Sequence, residues 1–330
     1  MPAPPVTLPG GVDSNSPGVW RKAGNKNTLY VFTSIDGTPS MSTGIGVGAL
    51  GSPAGINLSP WPEGGNWFES VIAAADGAWY GFYHNERRAF ACDESVLKVA
   101  PAIGVARSRN QGRSWTNLGI ILSSPPDTDD CGSPNTFFVG GVGDFSVMLD
   151  DRSEYLYIFY SQYVSEHSRQ GVAVARFAWA DRNRPVGKVR VNVDGVWTSP
   201  VQEATPEGPK TIYPMAVPVF PATDSWHDVD GSVDAFWGPS VHWNTAIQQY
   251  VMLLNRAADS DWRQEGIYIS FAPRLDDPRL WSRPTKLLEG GLWYPQVFGL
   301  ETGVGTDKSA GAIARFFMGG RSEYLIQFKR

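Results

Sequence analysis

Cysteine is scarce: Cys92 and Cys131 are the only two in 330 residues. Neither has a second Cys or a His at metal-ligand spacing, which argues against a zinc site. An excess of one charge is also lacking. With 28 basic and 33 acidic residues and a net charge of −5, the chain has no clustered basic stripe, so no nucleic-acid partner is expected. No apolar run reaches the length a membrane span requires, and Met1-Pro2-Ala3-Pro4-Pro5 offers neither a basic n-region nor an apolar h-region. No membrane partner is expected either. Room for long helices is missing too, because 36 Gly and 25 Pro punctuate the chain evenly.

What remains is material for strands. The chain carries 13 Trp, 12 Tyr and 16 Phe, residues that favour pleated surfaces and can also stack on sugar rings. One stretch sets the pattern. Gly140-Gly141-Val142-Gly143-Asp144-Phe145-Ser146-Val147-Met148-Leu149 turns through Asp150-Asp151-Arg152-Ser153-Glu154 into Tyr155-Leu156-Tyr157-Ile158-Phe159-Tyr160. It reads as a hairpin with a carboxylate at its mouth. The same grammar recurs in Phe68-Glu69-Ser70-Val71-Ile72, which turns at Asp76-Gly77 into Trp79-Tyr80-Gly81-Phe82-Tyr83. It recurs again in Gly238-Pro239-Ser240-Val241, which leads into Tyr250-Val251-Met252-Leu253-Leu254.

Repeated hairpins imply a repeated architecture. Five units are countable, with first strands near Val19, Phe68, Phe145, Ser240 and Val297. Outer strands follow at Ile103–Ser108 and Leu118–Leu122 in the second unit and at Gly171–Arg176 in the third. The fifth unit offers nothing for a fourth strand, so Val6–Leu8 is expected to complete it and close the ring. The expected fold is therefore all-β: a single domain over 1–330, a five-bladed propeller of four-stranded antiparallel blades. The competing architecture is a β-sandwich. Ser108-Arg109-Asn110-Gln111-Gly112-Arg113-Ser114-Trp115 resembles the Asp-box turn of sialidases and other propellers, with Asn110 where Asp is usual. Asn makes the same side-chain to backbone bonds, so the turn is expected to survive.

In a propeller blade the first strand starts, and the second ends, on one face. That face is expected to carry Asp13, Glu69 and Asp144 at first-strand starts, with Asp36, His84, Glu86, Tyr163 and Arg256 at second-strand ends. Trp61, Trp67, Trp237 and Trp293 lie at or before first-strand starts, where they stack sugars or seal blade contacts. Carboxylates that converge on a funnel are costly unless used or paired.

The five-unit layout and the acid at a first-strand start resemble the five-bladed propeller glycoside hydrolases, the arabinanase, xylosidase and invertase-like group. Gly143-Asp144-Phe145-Ser146-Val147 is similar to their Asp-Pro-Ser-Val, with Phe145 in place of Pro. Their acid commonly stands in Glu-Gly-Pro, whereas this chain has Trp237-Gly238-Pro239 and places a Glu in the second unit instead. Their first-unit Asp is matched loosely by Asp13. The resemblance implies a glycosidase acting on an oligo- or polysaccharide, inverting, in a monomer. Some related arabinanases hold calcium partly through a His, and His242 is the residue here that would face the channel. No other cofactor is implied. The Asp127, Asp129 and Asp130 cluster lacks EF-hand spacing and reads as a solvated loop.

Glycoside cleavage passes through an oxocarbenium-like state, so one carboxylic acid must protonate the leaving oxygen while a carboxylate works from the other side. Glu69, between Trp67-Phe68 and Ser70-Val71, sits in an apolar setting that suits the acid. Asp144, flanked by glycine amides, suits the ionised partner, with Asp13 assisting. His84, Glu86, Trp67, Trp237, Tyr163, Arg256, His242 and Trp293 are the expected substrate contacts. Two other readings stand beside this one: a non-catalytic glycan-binding propeller, and a carbohydrate lyase using His or Tyr as base. Glu69 and Asp144 then become polar plugs at a channel mouth. Cys92 and Cys131 both fall on the same face, where they either form a disulfide suited to a periplasmic or extracellular enzyme or remain two cytosolic thiols.

Overall fold

The computed structural model describes residues 1–89, 92–93, 98–206 and 208–330. Aromatic and β-branched runs bounded by Gly, Asn and Asp turns form strands throughout, and the only helices among the described residues are four single 3-10 turns. Most strands assemble into five mainly antiparallel sheets arranged as the blades of a propeller, and Val201–Thr205 and Gly208–Ile212 form a separate two-stranded sheet. Blade I holds Gly18–Ala23, Lys26–Ile35, Thr38–Gly44 and Ala54–Gly55; blade II holds Gly65–Ala73, Trp79–Glu86, Ala102–Ser108 and Ser114–Ser123. Blade III runs from Val142–Leu149 through Tyr155–Gln162 and Gly171–Ala178 to Arg190–Val193. Blade IV is Ser232–Asn244, Gln249–Asp259, Gln264–Ala272 and Thr285–Glu289.

Blade V closes the ring as expected. Gln296–Gly299, Ile313–Met318 and Arg321–Gln327 take Pro2–Thr7 as their outermost strand, and the Met1 amino group donates to Leu325 O at 2.8 Å. Four strands per blade is not uniform, however. Asn57–Ser59 adds a parallel strand to the edge of blade II, Val196–Thr198 extends blade III, and Ser309–Ala310 lies parallel against the first strand of blade IV. These extra pieces occupy edges that would otherwise leave backbone groups unpaired.

Aromatics seal the blade contacts. Phe32, Phe68, Trp79 and Trp115 interlock between blades I and II, and Phe82, Phe145, Ile158 and Phe177 fill the contact between blades II and III. Each such side chain contributes roughly 1.5–3 kcal/mol relative to exposure. The Asp-box-like turn supplies one of them. Ser108 Oγ accepts the Asn110 and Gly112 amides, Asn110 Oδ1 accepts the Ser114 amide at 2.9 Å, and the Trp115 indole donates to Gly112 O.

Lys308, in the loop before Ser309–Ala310, reaches the first strands of blades II and III. Lys308 Nζ donates to Ser70 Oγ and Ser146 Oγ at 3.0 and 2.9 Å and pairs with Asp307 at 3.1 Å. The same serines accept the Val147 and Val241 amides, which ties blade II to III and III to IV.

Candidate active site

Two irregularities in first strands build the site. The pairing of blade II skips Glu69 between Phe68 and Ser70, and that of blade III skips Asp144 between Gly143 and Phe145. A bulged residue is freed from the alternation of its strand and its side chain is re-aimed. Both carboxylates therefore turn to the axis. Asp144 takes φ +43°, one of few non-glycine residues in the left-handed region, a cost that recurs at functional positions. Blade IV bulges at the corresponding place through Gly238-Pro239. There Gly238 has φ +57° and an added Cβ would meet Asn255 Nδ2 at 2.5 Å.

Glu69 and Asp144 are 1% and 4% exposed, and with His84 they bring one ligand-type atom each within 4.8 Å of one another. Glu69 Oε2 accepts the Phe145 amide at 2.9 Å and the Asn15 amide side chain at 3.4 Å, while Oε1 has no hydrogen-bond partner. Burial, reinforced by the Asp144 charge, raises its pKa well above the usual carboxylate range. Asp144 is also raised by burial, but His84 and two phenols oppose this: Tyr163 donates to Oδ2 at 2.6 Å and Tyr294 to Oδ1 at 3.2 Å.

His84 lies between them. The Asp144 amide donates to its Nδ1 at 3.0 Å; Glu69 Oε1 is 3.7 Å from that nitrogen and Glu86 Oε1 is 3.6 Å from Nε2. Burial opposes a charged ring, yet Glu86 and Asp144 pull its pKa up to about 9. Charging it needs a proton on Nδ1, where the amide already donates. The amide at Nδ1 therefore opposes the charged ring that the surrounding carboxylates favour.

Asp13 stands at the rim, half-buried, with a pKa raised to about 6 by burial and by Asp144 and Glu86. It lines a cavity of about 360 Å³ with Trp293, Tyr294 and Arg321. Over the carboxylates lies an aromatic roof: Phe138 packs 6.0 Å from His84 and 4.9 Å from Tyr163, and Trp262 contacts Phe138, Tyr163 and Trp237.

Several solved structures superpose on nearly the whole chain. An endo-arabinase from Bacteroides thetaiotaomicron VPI-5482 matches over 98% of this chain and 98% of its own, with TM-score 0.53 and 9% identity. A thermostable family-43 glycoside hydrolase matches over 98% and 93%, with TM-score 0.53 and 12% identity. This is their fold. An exo-β-1,3-galactanase from Phanerochaete chrysosporium also superposes over 98% of this propeller, with TM-score 0.53 and 14% identity; the match spans 64% of that longer chain. At these identities the likeness is one of fold. No protein-family model and no curated sequence matches the propeller.

The residues named from sequence divide into two groups. Glu69, Asp144, Asp13, His84, Glu86 and Tyr163 come together, with Trp67 stacked edge-on against His84 at 5.6 Å. Trp237 and Trp293 belong to the roof and rim, where Trp237 is buried and Trp293 half-buried. Arg256 and His242 lie elsewhere. Arg256 is held by Asp234 through two contacts of 2.6 Å and by the Tyr268 hydroxyl. His242 is fully buried beside Phe328, both ring nitrogens unpartnered, its pKa pushed down to about 3 by burial and by Lys308.

Asn15 was not singled out by sequence, yet its Nδ2 bridges three blades, donating to Phe145 O and Pro239 O at 3.0 and 3.1 Å besides Glu69. Tyr294, Phe138 and Trp262 were missed as well, for their loops carry no local motif. The three ligand atoms of Glu69, His84 and Asp144 are close enough for a divalent ion. Among them, however, Nδ1, Oε2 and both Asp144 oxygens already accept protein hydrogen bonds.

Proposed function

We propose that this propeller is a glycoside hydrolase in which Glu69 is the proton donor and Asp144 the ionised carboxylate. The observation that carries the reading is two carboxylates at adjacent first-strand starts, close together in unlike settings. One is buried with a free oxygen; the other accepts two tyrosine hydroxyls. That contrast is what an acid and its partner require. Asp13 and Glu86, at the rim, are placed to bind substrate hydroxyls, with Trp293 beside Asp13 offering a face to a sugar.

Inversion, implied by the resemblance, needs about 6.5–9.5 Å between the acids, against about 5–5.5 Å for retention. Oxygens within 4.8 Å support retention, with Asp144 as nucleophile. A lyase reading is disfavoured because the Tyr163 and Tyr294 phenols are held protonated, raised well above their usual range by burial and by Asp144. The glycan-binding reading keeps one point in its favour, the roof that covers both carboxylates.

No metal enters the reaction proposed. Beside His242 the channel holds the Lys308 ammonium, paired with Asp307 and donating to two serine hydroxyls, a fixed positive charge that disfavours calcium there. Cys92 and Cys131 form a disulfide, which supports an oxidising, periplasmic or extracellular setting. No helix among the described residues is long and apolar enough to cross a membrane.

The activities of the similar structures make arabinan and β-1,3-galactan the first substrates to test. Release of reducing ends by the wild type, lost in Glu69→Gln and Asp144→Asn, is the expected result. Proton NMR of the first-formed anomer then decides the stereochemistry. Tight glycan binding without turnover, unchanged in both variants, would replace the enzyme with a binding module.

A further inference from the structure

A cavity of about 590 Å³ is on the face opposite the carboxylates. It opens at the far ends of first strands, between the Leu149–Tyr155 turn of blade III and the Trp243–Tyr250 turn of blade IV, and reaches the foot of the channel at Lys308. Its volume suits two or three sugar rings, within the roughly 300–1,000 Å³ of small-ligand sites.

Its walls combine flat faces with unspent polar groups. Trp243 is half-buried and packs edge-on against Tyr250 at 4.8 Å, and its indole N–H makes no hydrogen bond within the described protein. The Tyr250 hydroxyl is likewise free, and burial with the nearby Asp151 and Asp150 carboxylates keeps it protonated, pushed up to about 12. On the other wall, Tyr155 is stacked on Arg176, whose guanidinium is sandwiched 4.3 Å from both Tyr155 and Trp197. That sandwich fixes the ring as a rigid platform.

Charge decides what such a cavity takes. The Lys308 ammonium spends its protons on Ser70, Ser146 and Asp307. Arg176 is occupied by its stacking and by Tyr157, and Arg274 by Asp276 at 3.3 Å. Asp151, exposed on the turn, and Arg152 beside it have neither a hydrogen bond nor an ion pair among the described residues. The lining sets Asp150, Asp151, Glu154 and Asp276 against Arg152, Arg176, Arg274 and Lys308, so no net charge favours an ion, whereas hydroxyls can donate to Asp151 and accept from Tyr250 and Trp243. Apolar ring faces with hydroxyls at their edges fit the aromatic walls.

We infer that this cavity is a second binding site, for a neutral saccharide, that holds a glycan on the face away from the candidate catalytic carboxylates. The site stands whether or not those carboxylates hydrolyse anything. It calls for a binding experiment on the Glu69→Gln protein, so that no probe is consumed. Arabinotriose, xylotriose, β-1,3-galactotriose and cellotriose, each at about 10 mM, are titrated while ligand saturation-transfer NMR and tryptophan fluorescence are recorded.

At least one trisaccharide is expected to bind and perturb the fluorescence, with affinity lowered about tenfold or more by Trp243→Ala and severalfold by Asp151→Asn. Asp151 is exposed, so its variant folds even if the tryptophan variant does not. Binding that survives both changes, or that disappears in Asp13→Asn instead, would place the sugar on the carboxylate face and overturn the inference. So would no binding of any of the four probes. Absence of hydrolysis by the wild type, with Trp243-dependent binding present, would sink the catalytic proposal alone.

Discussion

Glu69 is a carboxylic acid stored without water, and its burial has two measurable consequences. Glu69→Gln and Asp144→Asn preserve shape but remove proton transfer, so each should lower turnover by about 10²–10⁴-fold with an unchanged circular dichroism spectrum. The second consequence concerns stability. A folded-state value raised above the ordinary 4.5 means the native protein keeps a proton that the unfolded chain has lost, so stability falls as pH rises above that value. Urea titrations at pH 5 and pH 8 should show the wild type losing stability across the interval and Glu69→Gln losing less. Tyr163 acts in the opposite sense on its neighbour. Its 2.6 Å hydrogen bond favours ionised Asp144, and a bond to a charged acceptor contributes about 1.5–3 kcal/mol. Tyr163→Phe should therefore move the acidic limb of the pH–rate profile upward by about 1–2 units.

At the scale of the element, the bulges and the channel segment decide what faces the axis. Lys308 holds a tethered ammonium between blades II and III. Lys308→Met would leave Asp307 without its cation and take one of two donors from each serine hydroxyl, costing about 3–5 kcal/mol as a broken buried pair does, readable as a lower urea midpoint. The same change removes the cation beside His242, so that ring's pKa should rise from about 3, measured by NMR. The hairpins were legible because strand and turn chemistry are local, and Glu69 and Asp144 stood out as acids in otherwise apolar strand starts. Lys308 and Asn15 did not. They reach the axis from loops, and which loops converge depends on the rotation between blades, a quantity that no window of sequence contains. Arg256 shows the converse: its position at a strand end was legible, but its partner Asp234 lies across the hairpin and claims it first.

Over the whole molecule, stability is shared between the blade contacts and two long-range closures. The Cys92–Cys131 disulfide spans 39 residues, a loop whose cross-linking is worth up to about 4 kcal/mol by the chain-entropy estimate. Reduction should lower the unfolding midpoint while leaving the blades paired, since neither cysteine belongs to a strand. The other closure joins Pro2–Thr7 to Arg321–Gln327, across separations as large as the 324 residues between Met1 and Leu325. During synthesis Pro2–Thr7 leaves the ribosome well before its partner Arg321–Gln327 is made. At roughly 5–20 residues per second the wait is about 15–60 s, and throughout it Pro2–Thr7 is an unpaired edge. Four of its six residues lie in the Pro2-Ala3-Pro4-Pro5 run, where prolines supply no N–H for a stray strand to accept. The composition that leaves this strand a weak partner in the finished ring also keeps it from pairing wrongly while it waits.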